Sequence, residues 1–382
     1  MRGSRVRSMG LAVALTAAMS ACGTDPGSDI DPSAVAETYA DLVAAAYQAS
    51  IDSAATMQVA IGAFLSDPTD QSLAAAKDAW LTARDDYTPT EAFRFYDGPI
   101  DDPDDGPEGR INAWPLDEAY VDYVEGALEA GIINDLAGYP SIIAEVLVEA
   151  NEAGGETNIS TGWHAIEFLL WGQDLDAEGP GARPVTDYTT GGNADRRGTY
   201  LQLATELLLS DLRSVQSEWT AGGAYRAEFL GDPDAAIEKI LRGIGALSAG
   251  ELAGERMAVA YETRDQEDEH SCFSDNTNAD VVGDLRGIQM VYLADFPGID
   301  GPALSDLVAA ADAALDDTLR EQIAASIELA EAFPTTFDRM ATAPDGDPAR
   351  QALGDSISAI EAQGETIARV AAALGKTITL KV

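Results

Sequence analysis

The chain has 382 residues, 46% of them apolar, which is enough for a substantial core and for roughly two to three domains of ordinary size. Its 66 acidic residues outnumber 23 basic ones, and the resulting formal charge of −43 repels phosphate backbones and anionic headgroups, which excludes nucleic acid as a partner. Two histidines and two cysteines occur in the whole chain, so the position of each carries weight.

Residues 1–22 read as an export signal, with Arg2, Arg5 and Arg7 ahead of an apolar run from Met9 to Met19 that is too short to span a bilayer. The run ends in Met19-Ser20-Ala21-Cys22-Gly23, which resembles the box at which bacterial lipoproteins are cleaved and lipidated. Cys22 is therefore the expected lipid anchor, with a plain secretory signal as the alternative. Residues 23–33, rich in Asp, Gly, Ser and Pro, are the expected flexible tether. Lipidation of Cys22 leaves Cys272 as the remaining thiol, so stability must come from packing and not from an intrachain disulfide.

From about Val35 to Leu374 the apolar periodicity is helical, with Ala-rich stretches at 34–65, 70–96, 199–219, 234–263, 303–332 and 348–374. Asp232-Pro233, Gly301-Pro302 and Asp347-Pro348 give start signals, and Gly172, Gly231 and Gly375 give stops. Strand-like alternation is confined to Thr377–Leu380. The predicted fold is all-α, in two antiparallel helical bundles at about 34–190 and 191–376. A faint repeat accompanies this division: Tyr39 leads to Phe64-Leu65, Tyr200 leads to Phe229-Leu230, and each copy continues to an Arg-Asp pair, Arg84-Asp85 and Arg264-Asp265. The repeat suggests an internal duplication.

Two stretches stand out against this helical background. In Gly162–Gly172 an apolar helix-length run is interrupted by His164 and Glu167, which share one face with Phe168 and Trp171 at i, i+3, i+4 and i+7. In Asp265–Asn276 an acidic run contains His270, Cys272, Phe273 and the Ser274-Asp275-Asn276 turn, and Ser274 or Asp275 is positioned to cap a helix near Thr277. The ordinary readings are a satisfied His–Glu core pair for the first and a solvated charged loop for the second.

These stretches occur in order with Glu91-Ala92-Phe93-Arg94-Phe95, Gly98-Pro99-Ile100-Asp101 and Ile111-Asn112-Ala113-Trp114-Pro115-Leu116. That succession resembles the imelysin family, also called the M75 peptidase or iron-regulated protein A-like family, over nearly the whole mature chain. The resemblance implies a two-bundle helical fold, a cell-envelope location at the periplasm or outer surface, a link to iron uptake, and a Gly-x-His-x-x-Glu motif that holds a metal.

The motif alone supplies two donors, His164 and Glu167, and a zinc or iron site needs more; Glu91, Glu269, His270 and Asp275 are the candidates. Arg94, Trp114, Phe168, Trp171, Cys272, Ser274 and Asn276 are the expected lining. Arg94 is expected to pair with a site carboxylate, and Cys272 to be a buried small residue. Two functions follow. In the first the protein binds iron, as an ion or a complex, for envelope transport partners, and touches the membrane through its lipid anchor alone. Carboxylates with one or two imidazoles suit that metal. In the second it is a zinc metallopeptidase using His164, Glu167 and His270, although position 168 is Phe and the two-histidine helical signature of zincins is absent.

Overall fold

The computed structural model describes residues 30–176 and 179–382; the export signal, Cys22 and most of the tether lie outside them. The first helix, α1 (Pro32–Ser66), runs for 35 residues, about 52 Å at the α-helical rise. Its start is set by Pro32 in the first turn and by Asp31, whose side chain accepts from the Ser33 N–H. A Thr69–Ser72 capping box opens α2 (Asp70–Tyr87), which lies against α1 and continues into a 3₁₀ turn, Thr88–Phe93.

Between residues 94 and 161 the chain is largely irregular, with short helices α3 (Glu108–Ile111), α4 (Glu118–Val121) and α5 (Ala144–Ala150). Then come α6 (Gly162–Trp171), α7 (Ala194–Trp219), α8 (Ala224–Gly231) and α9 (Pro233–Gly245). A continuous rod follows from α9 through a π-helical stretch, Ala246–Ala258, into α10 (Val259–Thr263). The second half is completed by α11 (Thr277–Leu293), α12 (Leu304–Glu331), α13 (Phe337–Thr342) and α14 (Pro348–Ala373).

Helices α1, α2, α6 and α7 pack together on one side, while α11, α12, α14 and the π-helical stretch pack on the other; α9 touches both α1 and α14. The all-α expectation holds, and one apolar core runs through both groups. Helix α7, expected to open the second bundle, lies instead against α1 and α6. The anchors of the faint repeat occupy unlike settings: Arg84 is fully buried, whereas Arg264 pairs at the surface with Asp345. Thr377–Leu380 forms no strand; the tail lies extended on the π-helical stretch, where a Cβ on Gly250 would come within 2.4 Å of the Leu380 carbonyl oxygen. Among the described residues no helix is long and apolar enough to cross a membrane.

Candidate metal centre

Every residue of α6 is buried, which accounts for its apolar composition on all faces. The helix can enter this packed position because Gly162, at φ +85°, has no Cβ: one would meet the Ile111 carbonyl oxygen at 2.5 Å. The His164 and Glu167 side chains meet one turn apart, Nδ1 to Oε2 at 2.9 Å. The other carboxylate oxygen of Glu167, Oε1, accepts from the backbone N–H and the hydroxyl of Ser274, at 3.0 and 2.6 Å.

The loop before α11 supplies a second pair of the same design. His270 Nδ1 lies 2.9 Å from Asp280 Oδ2, and that oxygen also accepts from the Ser271 hydroxyl at 2.6 Å. Asp280 is in turn gripped by Arg84, whose Nε and Nη2 donate to its two oxygens at 3.1 Å each, while Asn112 accepts from Nη1. The His164 and His270 rings face one another edge-on with centroids 4.8 Å apart. Trp114 packs on His164 at 5.1 Å and on Phe273 at 5.9 Å, and Phe168 closes on Phe273 at 5.1 Å. The result is a closely packed cluster in which His164 is 1% exposed and His270 3%.

Burial sets the charge states. It pushes the Glu167 carboxyl up to about 8, even though the Ser274 bonds favour the charged form. Burial also opposes ionisation of Asp280, but the Arg84 guanidinium overrides it and holds the group well below the usual carboxylate range. Both imidazoles stay neutral: burial and then the Arg84 charge hold His164 well below its ordinary value, and burial and then Arg256 hold His270 at about 4. With Asp280 ionised, His270 donates from Nδ1 and keeps its lone pair on Nε2. His164 Nε2 is a buried nitrogen with no hydrogen-bond partner.

Of the remaining expected donors, Glu91 belongs to a neighbouring cluster. Its oxygens are taken by the Tyr87 hydroxyl at 2.7 Å, by Arg94 at 2.7 Å and by Arg256 from the π-helical stretch. Arg94 pairs with Glu91 and with Glu108, in that neighbouring cluster. Glu269 is buried, with Asp338 and Asp275 as its strongest charged neighbours, and Asp275 is half-buried. Cys272 is buried, with burial holding it as a thiol. Asn276 donates to Asp280 at 3.3 Å. Trp171 turns away to pack edge-on against Trp80 at 5.3 Å and to line a surface cavity of about 540 Å³. Neither Ser274 nor Asp275 caps α11, because the Ser274 hydroxyl is spent on Glu167 and Asn276 occupies the cap position.

Sequence reasoning missed Arg84, Asp280 and Ser271. A signal existed for one of them: Asp280 and Asp284, four apart, share a stripe of α11 with Gly287, Ile288 and Val291, all buried. Acids on an apolar helical face announce buried partners.

A bound metal ion would find two neutral imidazoles here, each with its Nδ1 side against a carboxyl group; His164 presents its Nε2 lone pair only when Glu167 is ionised and the proton sits on Nδ1. Among the described residues no three His, Cys, Asp or Glu side chains converge closely enough to hold an ion as they stand. The donor set therefore fits an ion whose other positions are filled by water or by a ligand arriving with it. The rings are too close together to admit a porphyrin between them.

The architecture has solved counterparts. It matches the crystal structure of a protein named as an iron-regulated protein A precursor from Parabacteroides distasonis, with a TM-score of 0.66, 19% identity, and 88% of this chain and 95% of that chain covered. It also matches an imelysin-like protein from Psychrobacter arcticum, with a TM-score of 0.60, 16% identity and coverage of 91% and 98%. In sequence the chain is 24% identical over 345 residues to iron-regulated protein A of Synechococcus elongatus, covering 87% of this chain and 83% of the relative. The imelysin, or peptidase M75, family pattern matches residues 43–364, a span that contains α6, the His270 loop and α11, and so the chain belongs to the imelysin family.

Proposed function

We propose that the protein is a metal-binding lipoprotein of the cell envelope that takes up iron, as an ion or a small complex, between His164 and His270. The observation that carries this reading is the pair of buried neutral imidazoles 4.8 Å apart, each tied at Nδ1 to its own carboxylate, with His164 Nε2 left without a partner. A ring nitrogen buried without a partner costs about 1–3 kcal/mol, a cost that a metal would remove once Glu167 is ionised and the Nε2 lone pair is free. When bound, the metal would supply Lewis acidity and, for iron, a redox couple.

The protein's own residues divide the work. His164 and His270 are the donors through Nε2, and Glu167 and Asp280 orient them. Because Ser274 saturates Oε1, any proton on Glu167 sits on Oε2, facing His164 Nδ1. The carboxylate form reverses that bond, places the proton on Nδ1 and presents the Nε2 lone pair. In this reading Glu167 is a positioning residue, not a ligand. Trp114, Phe168 and Phe273 exclude water. A polypeptide substrate cannot reach histidines that are 1% and 3% exposed, which disfavours the peptidase alternative.

The test is iron titration of the purified protein with elemental analysis. Stoichiometric iron in the wild type, lost in His164→Ala and in His270→Ala, is the expected result; equal iron in all three would sink the proposal. No cleavage of an unstructured protein by the iron- or zinc-loaded form is expected. Envelope anchoring is tested separately, since Cys22→Ser should move the protein from the membrane fraction to the soluble envelope fraction.

A further inference from the structure

Helix α6 carries His164 near its start and ends at Trp171 and Gly172, on the wall of the surface cavity of about 540 Å³. That volume lies within the range of small-molecule sites, roughly 300–1,000 Å³. The lining divides by depth. Trp171, Gly172 and Arg183 are buried and form the floor, whereas Leu128 and Leu175, 71% and 63% exposed, stand at the mouth with Pro180 and Pro184. Two leucines exposed to this degree on one cavity make an apolar surface without a cover.

The floor also holds a polar group without a partner. Arg183 donates from Nη1 to Asp122 at 2.8 Å and to Asp187 at 3.0 Å, and from Nη2 to the Phe168 carbonyl at 3.3 Å, but its buried Nε has no hydrogen-bond partner. A Cβ on Gly172, at φ +74°, would lie 3.6 Å from that Nε, so the glycine leaves the approach to it bare. A buried donor left unmade calls for an acceptor that comes from outside the chain. Charge selects the kind of acceptor. Asp122 and Asp187 balance Arg183 and its neighbour Arg197, which also donates to Asp122. Lys77 Nζ then lies 5.2 Å from the centre of the Trp171 ring and forms no ion pair with a described acid, in a chain whose 66 acids face 23 bases. The acids of the lining, Glu125 and Asp176, belong to its exposed edge, where water and salt screen them.

We propose that this cavity binds a small organic acid of the aryl carboxylate class, whose carboxylate accepts from Arg183 Nε beside Gly172 and whose apolar body fills the space between Trp171 and the two leucines. An ionised acceptor makes the stronger bond to a guanidinium, and a cationic ligand would instead meet Arg183 and Lys77. A flat apolar body suits a wall that contains the Trp171 and Tyr123 rings. The site is separate from the histidine pair, since Trp171 lies seven residues beyond His164, about 10 Å along α6. The inference does not depend on what the histidines bind.

The test is calorimetric titration with 2-naphthoate as the probe and 2-naphthylmethanol as its uncharged match, at high salt so that the net charge of the chain is screened. Wild-type protein should bind one naphthoate, roughly tenfold or more tighter than the alcohol, and His164→Ala should bind it equally well. The double variant Leu128→Ser/Leu175→Ser changes two exposed side chains and so keeps the fold; it should weaken naphthoate binding by roughly tenfold or more through lost apolar contact. Nuclear magnetic resonance of ¹⁵N-labelled wild type provides the second measurement, in which the Arg183 Nε–H signal should shift as naphthoate saturates the site. Absence of binding, naphthoate held no tighter than the alcohol, undiminished binding by the double variant, or an Arg183 signal that stays in place would each overturn the proposal.

Discussion

The His164–Glu167 and His270–Asp280 pairs share one plan, an imidazole Nδ1 against a carboxylate at 2.9 Å with a serine hydroxyl on the same carboxylate at 2.6 Å, and differ most in one charged neighbour. Arg84 donates twice to Asp280, and no guanidinium reaches Glu167 in the hydrogen bonds it makes. That one difference sends two equally buried acids in opposite directions, Asp280 well below the usual range and Glu167 up to about 8. A shared hydrogen-bonding plan therefore does not fix a charge state; the nearest charge does. One pair is a permanent anion, and the other can trade its proton.

The most damaging way to break this contrast is to remove the cation. Arg84→Met leaves Asp280 charged and buried, and should cost roughly 3–5 kcal/mol of stability in chemical denaturation. Glu167→Gln, which discards a group that is costly to ionise, should cost far less. If the two substitutions proved equally harmful, the assignment of the permanent charge to Asp280 would fail.

A milder probe is pH. The folded protein keeps the Glu167 proton to about pH 8, whereas the unfolded chain releases it near the ordinary value of 4.5. The folded state therefore binds more protons across that window, and stability falls as pH rises from about 4.5 to 8, by up to roughly 5 kcal/mol from this group. Thermal unfolding of metal-free wild type at pH 5 and pH 8, set against Glu167→Gln, isolates that share. Asp275, which burial raises to about 7, contributes in the same direction in both proteins and cancels. A Glu167→Gln protein with undiminished pH dependence would contradict the assignment.

The smallest expected effect concerns the serines. Ser274→Ala and Ser271→Ala each remove one hydrogen bond, worth about 1 kcal/mol. They should nevertheless diverge in their titrations. Without the Ser274 hydroxyl, Glu167 should rise further, while Asp280 keeps Arg84 and stays ionised without Ser271. Carboxyl titration followed by infrared difference spectroscopy distinguishes the two outcomes.

The helices were legible because their signals are local. Asp232-Pro233 and Asp347-Pro348 open α9 and α14 as their spacing predicts, with each aspartate accepting from a first-turn N–H. His164 and Glu167 share a face for the same reason, and the rarity of histidine drew attention to His270 before any geometry was known. Arg84 was illegible. It lies 196 residues from Asp280, and no local signal in α2 names that partner. The loop from 94 to 161 was equally opaque, since its shape is set by side-chain bonds such as Asn151 to Gly109 and Arg196 to Ile133, not by periodicity. The stretch at 246–258 reads as ordinary helix because an apolar stripe tolerates a slightly wider turn.

That wider turn places Arg256 where it can reach Glu91, Glu251 and Asp284 together. Its angular position depends on how many residues precede it in the wide coil more than on which residues they are. Deleting a single residue between 246 and 256 would change the winding and the angle at which Arg256 projects, carrying the guanidinium off three acids while the overall hydrophobicity stays the same. Point changes from one small residue to another in this stretch would leave the reach intact. For this part of the gene the spelling is negotiable and the letter count is not.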